Sequence, residues 1–177
     1  VSTNPCGEIP LCPYDSCRLL AINLYGYVEN PFTGNASFNM PLFREHVWIA
    51  QRIMDDIIDM ELEKVDAILE KIDKDPEPGD IKNTERQLWM KIKEKALQGR
   101  RTGIGITAEG DMLAALNMRY GSDDAIDFSV NIHKTLAVEA LNHRLTLLQS
   151  GVRFRCLILN VKKTIRLLIV SSMKNRN

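Results

Sequence analysis

From Pro41 to about Lys74 the apolar residues Val47, Ile49, Ile53, Ile57, Ile58, Leu62, Val65 and Leu69 recur at spacings near three and four. That period commits a long stretch of the chain to one amphipathic helix. Asp75-Pro76-Glu77-Pro78-Gly79 stops it, because proline lacks the backbone N–H and clashes with the preceding turn. A second helix is predicted from about Thr84 to Gln98 through Leu88, Trp89, Ile92 and Leu97, with Gly99 as its stop. Two stretches of different texture flank this pair. Arg18 to Val28 is apolar and β-tolerant, a short strand or buried turn closed by Asn30-Pro31 and Thr33-Gly34-Asn35. Arg100 to Thr107 alternates small with β-branched residues and reads as a buried strand. Acid-led helices follow near Gly110–Asn117 and Asp123–Leu148. The pattern is helix-rich with a few short strands.

With 177 residues, 45% of them hydrophobic, the chain can build one sizeable core but is short for two, so it is one domain or part of one. The 23 basic and 23 acidic residues cancel, which argues against a generally basic nucleic-acid binder. The balance is uneven along the chain. No Asp or Glu follows Glu139 while eight basic residues do, so 1–140 carries −8 and 141–177 carries +8. We read 1–140 and 141–177 as segments of different origin, the second a basic tail from a shifted reading frame or a divergent terminus. Arg155 to Val170 could pair as strands, and Arg153, Arg155, Lys162, Lys163 and Arg166 could form a basic patch. Only Phe154 supplies an interleaved aromatic there, so nucleic acid is not the preferred partner. No run of about 18 apolar residues exists, which excludes a membrane-spanning helix. Val1-Ser2-Thr3-Asn4-Pro5 has no signal-peptide pattern and does not begin with Met, so the start reads as processed, spliced or truncated.

Cys6, Cys12 and Cys17 crowd the first 17 residues, with Cys156 far away, a distribution that fits cytosolic redox or metal chemistry better than a disulfide scaffold. Asn4-Pro5-Cys6-Gly7-Glu8 spaces an amide, a thiol and a carboxyl two residues apart. In an extended backbone these three project to one face and converge on one ligand. The same spacing arises by chance, and an isolated cysteine is more often a small buried hydrophobe than a nucleophile. A zinc site on Cys6, Cys12 and Cys17 competes, although the gaps do not repeat the usual pairing and the nearest histidine is His46. Gly103-x-Gly105 lacks the third glycine of a phosphate loop, position 108 being Ala, and is read as tight strand packing. His46, His133 and His143 are too scattered for a catalytic trio and are read as surface or half-buried. Asp55, Asp56, Asp59, Glu61 and Glu63 are read as a solvated helix face.

Asn4-Pro5-Cys6-Gly7-Glu8-Ile9-Pro10-Leu11, followed by Cys17-Arg18-Leu19-Leu20-Ala21-Ile22-Asn23-Leu24, resembles the catalytic finger loop of the ribonucleotide reductase large chain. Arg100 to Thr107, Asp111-Met112-Leu113 and Tyr120-Gly121-Ser122 resemble a later strand, helix and turn of that family. The resemblance covers 1 to about 140 and implies a fragment of a ten-stranded α/β barrel threaded by a central catalytic finger loop. It implies that Cys6 carries the thiyl radical that removes the ribose 3′ hydrogen, that Glu8 is general base toward the 3′ hydroxyl, and that Asn4 binds the sugar hydroxyls. Pro5 and Gly7 would complete the substrate-binding loop. Cys17 would be one half of the dithiol that reduces the substrate radical and becomes a disulfide.

The wording around Cys6, with Cys12-Pro13-Tyr14-Asp15-Ser16-Cys17, is more similar to the adenosylcobalamin-dependent class than to the di-iron class, in which a partner subunit supplies the radical. The resemblance also implies a ribonucleotide substrate, taken as a diphosphate, a reductant of the thioredoxin or glutaredoxin type, the remainder of the reductase chain as partner, and a cytoplasmic location. The family's chain is several times longer, and the part that would carry the second redox cysteine and much of the cofactor platform has no counterpart here. Cys156 does not replace the family's paired cysteine tail. Ala108-Glu109-Gly110-Asp111 stands where the family more often has Gly-Leu-Ala-Asp. The rival readings are an inactive truncated or partner-binding remnant and a small zinc-binding module.

Overall fold

The computed structural model describes residues 2–5, 7 and 10–149. In chain order its elements are β1 (Ser2–Thr3), β2 (Pro10–Leu11), β3 (Arg18–Asn23), a 3₁₀ turn (Leu24–Tyr27), β4 (Val28–Glu29), β5 (Ser37–Phe38), α1 (Met40–Lys74), α2 (Gly79–Gly99), β6 (Thr102–Thr107), α3 (Glu109–Ala115) and α4 (Asp123–Gln149). The chain divides into two compact units. One holds the described residues of 1–17 with Ile57–Arg101, the other Arg18–Asp56 with Thr102–Gln149. Among the described residues the strands form three two-stranded sheets and no closed barrel.

The second unit is organised by β3 and β6, which pair in parallel with Arg18 opposite Thr102 and Asn23 opposite Thr107. Parallel neighbours need a long crossover, which the predicted helix pair supplies. Asn23 ends β3 by accepting the Tyr25 amide on its side-chain oxygen at 3.1 Å. β4 and β5 then form a short antiparallel ladder. The chain enters α1 through Asn39, whose side-chain oxygen accepts the Leu42 amide at 3.0 Å. Pro41 sits in the first turn, where a missing N–H costs nothing.

Ile22, Leu24, Phe43, Val47, Met112, Leu113 and Ile132 form the core of this unit. Tyr27, Phe38, Phe43 and Phe128 add a chain of edge-on or tilted rings, with centroids 5.3 to 5.7 Å apart. Each such side chain withdrawn from water contributes about 1.5–3 kcal/mol, and each aromatic pair about 0.5–1.5 kcal/mol more. The expected strand at Arg100–Thr107 is present, but it is half-buried rather than buried. A Cβ added at Gly105 would meet nothing within 4 Å, so close packing is not what glycine does there.

In the first unit the end of α1 returns into α2 as a helical hairpin. Ile58, Leu62 and Ala96 form its small apolar core, and ion pairs Asp66–Lys93 and Asp73–Arg86 join its outer face. Lys82 Nζ donates to the carbonyls of Asp73 and Asp75, both at 3.0 Å, closing the C-terminus of α1. These ties explain why α2 starts at Gly79 and not near Thr84: Pro78 serves as the residue before the helix and accepts the Lys82 amide. The stop is also shifted. The left-handed residue is Arg100, at φ 40°, not Gly99. Its buried guanidinium reaches Asp59 at 2.6 Å, a contact glycine could not make.

The periodicity of α1 marks two stripes and not one. Phe43, Val47, Ala50, Met54, Ile58, Leu62 and Val65 are buried, whereas Ile49, Ile53 and Ile57 are exposed at every fourth position. Asp55, expected on a solvated face, is buried, close enough to His143 on α4 for its charge to act on that imidazole. His143 is likewise buried, against the edge of Trp48, and its ring nitrogens make no hydrogen bond among the described residues. The boundary expected at residue 140 falls inside α4. The expected strands at 155–170 and the basic patch at 153–166 lie outside the described residues, as does Cys156. No helix among the described residues is long and apolar enough to cross a membrane.

Candidate functional site

The N-terminal loop is held at its base by the antiparallel pairing of β1 with β2, Ser2 opposite Leu11 and Thr3 opposite Pro10. At its tip the Gly7 amide donates to the Asn4 carbonyl at 3.0 Å, closing a four-residue turn. Asn, Pro and Gly occupy the first, second and fourth positions, each favoured there. Gly7 sits at φ 80°, a conformation other residues rarely adopt. Pro5 and Gly7 suit this tight closure, the one by presetting its φ and the other by taking the left-handed conformation. Asn4 is half-buried, and Pro5 and Gly7 are exposed. Cys6 and Glu8 lie outside the described residues.

A second turn follows before β3. The Asp15 amide donates to the Cys12 carbonyl at 3.2 Å, and Tyr14 between them is left-handed at φ 63°. The Asp15 carboxylate, 5% exposed, accepts from Arg101 Nε at 2.5 Å and from the Ser16 amide at 3.0 Å. Arg101 Nη2 also lies 4.0 Å from Cys12 Sγ, and Lys91 Nζ stands 5.2 Å from the centre of the Tyr14 ring. Cys12 is exposed and Cys17 half-buried, both as thiols. The Asp15–Arg101 tie is the feature that motif reading missed. Its only trace in the sequence is an acid within Cys12-Pro13-Tyr14-Asp15-Ser16-Cys17 and a second arginine beside the αL residue that ends α2. No group of three or more His, Cys, Asp or Glu side chains suited to a metal occurs among the described residues.

The carboxyl ends of β3 and β6 carry a separate cleft of about 350 Å³, lined by Asn23, Tyr25, Phe32, Ala108, Asp111 and Ala114. Carboxyl ends of parallel strands are where α/β sheets place ligands. Tyr27 Oη stands 2.9 Å from His46 Nδ1, and burial raises the phenol's pKa above its usual 10.0, so the phenol stays neutral in this contact.

Residues 1–150 match the family of the ribonucleotide reductase barrel domain, and the chain belongs to that family. It is 32% identical over 131 residues to a vitamin B12-dependent ribonucleoside-diphosphate reductase of Thermoplasma acidophilum, covering 74% of this chain and 13% of that one. A protein of the same description from Mycobacterium tuberculosis is 28% identical over 135 residues, covering 76% of this chain and 15% of that one. The chain thus spans only 13% to 15% of the length of these relatives.

Proposed function

We propose that this chain is part of a ribonucleotide reductase that converts ribonucleoside diphosphates to deoxyribonucleotides, with residues 1–140 contributing the finger loop and neighbouring elements of a ten-stranded α/β barrel. The observation that carries the reading is Asn4-x-Cys6-x-Glu8 in the loop, with Cys17 at the entry to β3, inside a match that spans 1–150. Cys6, as a thiyl radical, removes the 3′ hydrogen of the ribose. Glu8 takes the proton of the 3′ hydroxyl, a positioned base being worth typically about 10²–10⁴-fold. Asn4 holds the sugar hydroxyls through its amide, and the turn closed by Gly7 sets where that amide sits. Cys17, with a second cysteine elsewhere in the reductase, supplies two electrons and two protons and is left as a disulfide. A thioredoxin- or glutaredoxin-type dithiol restores it, in the cytoplasm.

Adenosylcobalamin is the cofactor by kinship with the B12-dependent relatives, and when bound it supplies the radical. The described residues do not build its cradle. Four of their clefts measure about 200 to 410 Å³, and their histidines stand on helices packed against Tyr27, Glu109 and Trp48. We place the cofactor platform in other parts of the reductase. The barrel reading also accounts for the uncovered apolar surface. Leu20, Leu42, Ile49 and Ile53 line a cleft of about 410 Å³ beside β3, which pairs with β6 alone among the described residues. Further strands and helices of the barrel would cover it.

The test is complementation: supply the remaining reductase chain in trans with this one and assay deoxyribonucleotide formation. Restored turnover that is lost in Cys6→Ala supports the reading, and full turnover with Cys6→Ala overturns it. Sequencing the coding DNA on both sides and in all frames tests the separate origin of 141–177. Family wording resuming in a shifted frame supports it, and its absence makes the basic tail a genuine terminus.

A further inference from the structure

We propose that Arg101 is a positioning residue for the Cys17 thiol: by gripping the Asp15 carboxylate it fixes the place and direction from which that sulfur meets its disulfide partner. The inference rests on the reading of Cys17 as a redox cysteine and deepens it by naming the side chain that sets where this cysteine stands. Three observations carry it. Asp15 uses its carboxylate twice, accepting from Arg101 Nε at 2.5 Å and from the Ser16 amide at 3.0 Å, so the same group ties the turn to Arg101 and holds the backbone that leads to Cys17. The carboxylate is buried, and removing either partner of a buried pair strands the other charge, which makes the tie hard to break. Finally, Cys17 is the residue before β3, which pairs with β6 from Arg18 opposite Thr102. Along the chain Cys17 therefore stands between two anchors, Asp15 held by Arg101 and Arg18 held in the ladder, with Ser16 as the only other residue between them.

Disulfide chemistry needs such anchoring. The bond forms only when the two Cα atoms come within about 4.4–6.8 Å with their Cβ vectors converging. A cysteine on a free segment meets that geometry seldom, and a misplacement of about 1 Å can cost on the order of 10²-fold in rate. Arginine suits the task because its planar, rigid fork fixes direction as well as distance, whereas an ammonium on a flexible stem is a point charge. No proton or electron passes through Arg101. It acts through Asp15 and the backbone of Ser16.

The test reads order at Cys17 in the whole chain. NMR relaxation of isotope-labelled cysteine gives the order parameter of each Cα–H bond, and Cys17→Ser assigns the resonance. The expected value at Cys17 is that of rigid backbone, about 0.85, falling below about 0.6 in Arg101→Gln. Asp15→Asn cuts the same tie from its other end and is expected to give the same fall. Arg86→Gln cuts the Asp73 pair in the same unit and is expected to leave Cys17 unchanged. In the complemented reductase, Arg101→Gln is expected to lower kcat by about tenfold or more with the nucleotide KM unchanged, since the disulfide step and not nucleotide binding is misplaced. Unchanged order at Cys17 in Arg101→Gln or Asp15→Asn, an equal fall in Arg86→Gln, or full kcat in Arg101→Gln would each overturn the proposal. The relaxation measurement needs no nucleotide and no second chain, whereas the reductase reading fails through full turnover with Cys6→Ala, so the two failures are distinct.

Discussion

The unit built on β3 and β6 and the unit that carries the N-terminal loop are held by different forces. The first rests on a continuous apolar core, with Phe43, Leu24 and Ile132 fully buried and four aromatic rings in contact. The second has a small core of Ile58, Leu62 and Ala96, and charged ties run through it: Asp59–Arg100, Asp66–Lys93, Asp73–Arg86 and Asp15–Arg101. Apolar burial is non-directional and insensitive to salt, whereas a charge pair fixes geometry and weakens with ionic strength. A turn whose place is set by a few contacts gains more from the second kind of tie. The scaffold is served by the first.

The comparison breaks most visibly at Phe43. Phe43→Ala removes a fully buried ring that meets Tyr27 and Phe38, and is expected to cost about 3–5 kcal/mol. Urea unfolding followed by circular dichroism measures it, and a loss under about 1 kcal/mol would mean the core is not continuous. The counterpart on the charged side is Asp15→Asn, which leaves the Arg101 guanidinium without its anion. A hydrogen bond to a charged group is worth about 1.5–3 kcal/mol, and the loss should be local to the turn. Hydrogen exchange at residues 10–17 should accelerate while the protection of β3 and β6 stays unchanged. Uniform acceleration across both units would erase the distinction.

Much of this division is legible in the sequence, but not all of it. The period of α1, the proline stop after Lys74 and the strand at Arg100–Thr107 follow from local patterning, and all are present. So is the turn at Asn4–Gly7, which Pro5 and Gly7 favour. Illegible were the features that depend on partners far along the chain. Asp15 and Arg101 are 86 residues apart. Asp55 looks like its acidic neighbours until α4 brings His143 near it. Arg100 takes the αL position from Gly99 because Asp59 holds its side chain, which no propensity scale records.

His143 sharpens the comparison by testing a buried charge inside the apolar unit. Burial first, and then the Arg52 charge, hold its pKa below the usual 6.5, opposed by Asp55. Trp48 Nε1 donates to Glu139 on the same face of α4, and Arg44 lies 3.8 Å from that carboxylate. The unfolded chain takes up the proton first as pH falls past 6.5, so the stabilisation is complete above that pH and declines as pH falls toward the lower folded-state value. Unfolding midpoints between pH 7.5 and 5 should drop on the acid side, and His143→Gln should flatten that part of the profile. An unchanged slope in the variant would assign the acid sensitivity elsewhere.

The smallest effect concerns Ala108, the residue before α3. Ala108 precedes α3 at φ 58° and ψ 33°, the left-handed region in which a Cβ crowds the following carbonyl. That crowding costs roughly 1–2 kcal/mol per residue, while glycine costs about 0.5–1 kcal/mol of extra chain entropy on folding. The difference favours Ala108→Gly by about 0.5–1 kcal/mol, since the substitution relieves strain that alanine cannot escape. Ala108 lines the cleft at the carboxyl ends of β3 and β6, so the relaxed backbone should also alter how that cleft holds its shape. A higher unfolding midpoint with unchanged denaturant slope supports this account. A lower midpoint would mean that the methyl group packs favourably enough to offset its own strain.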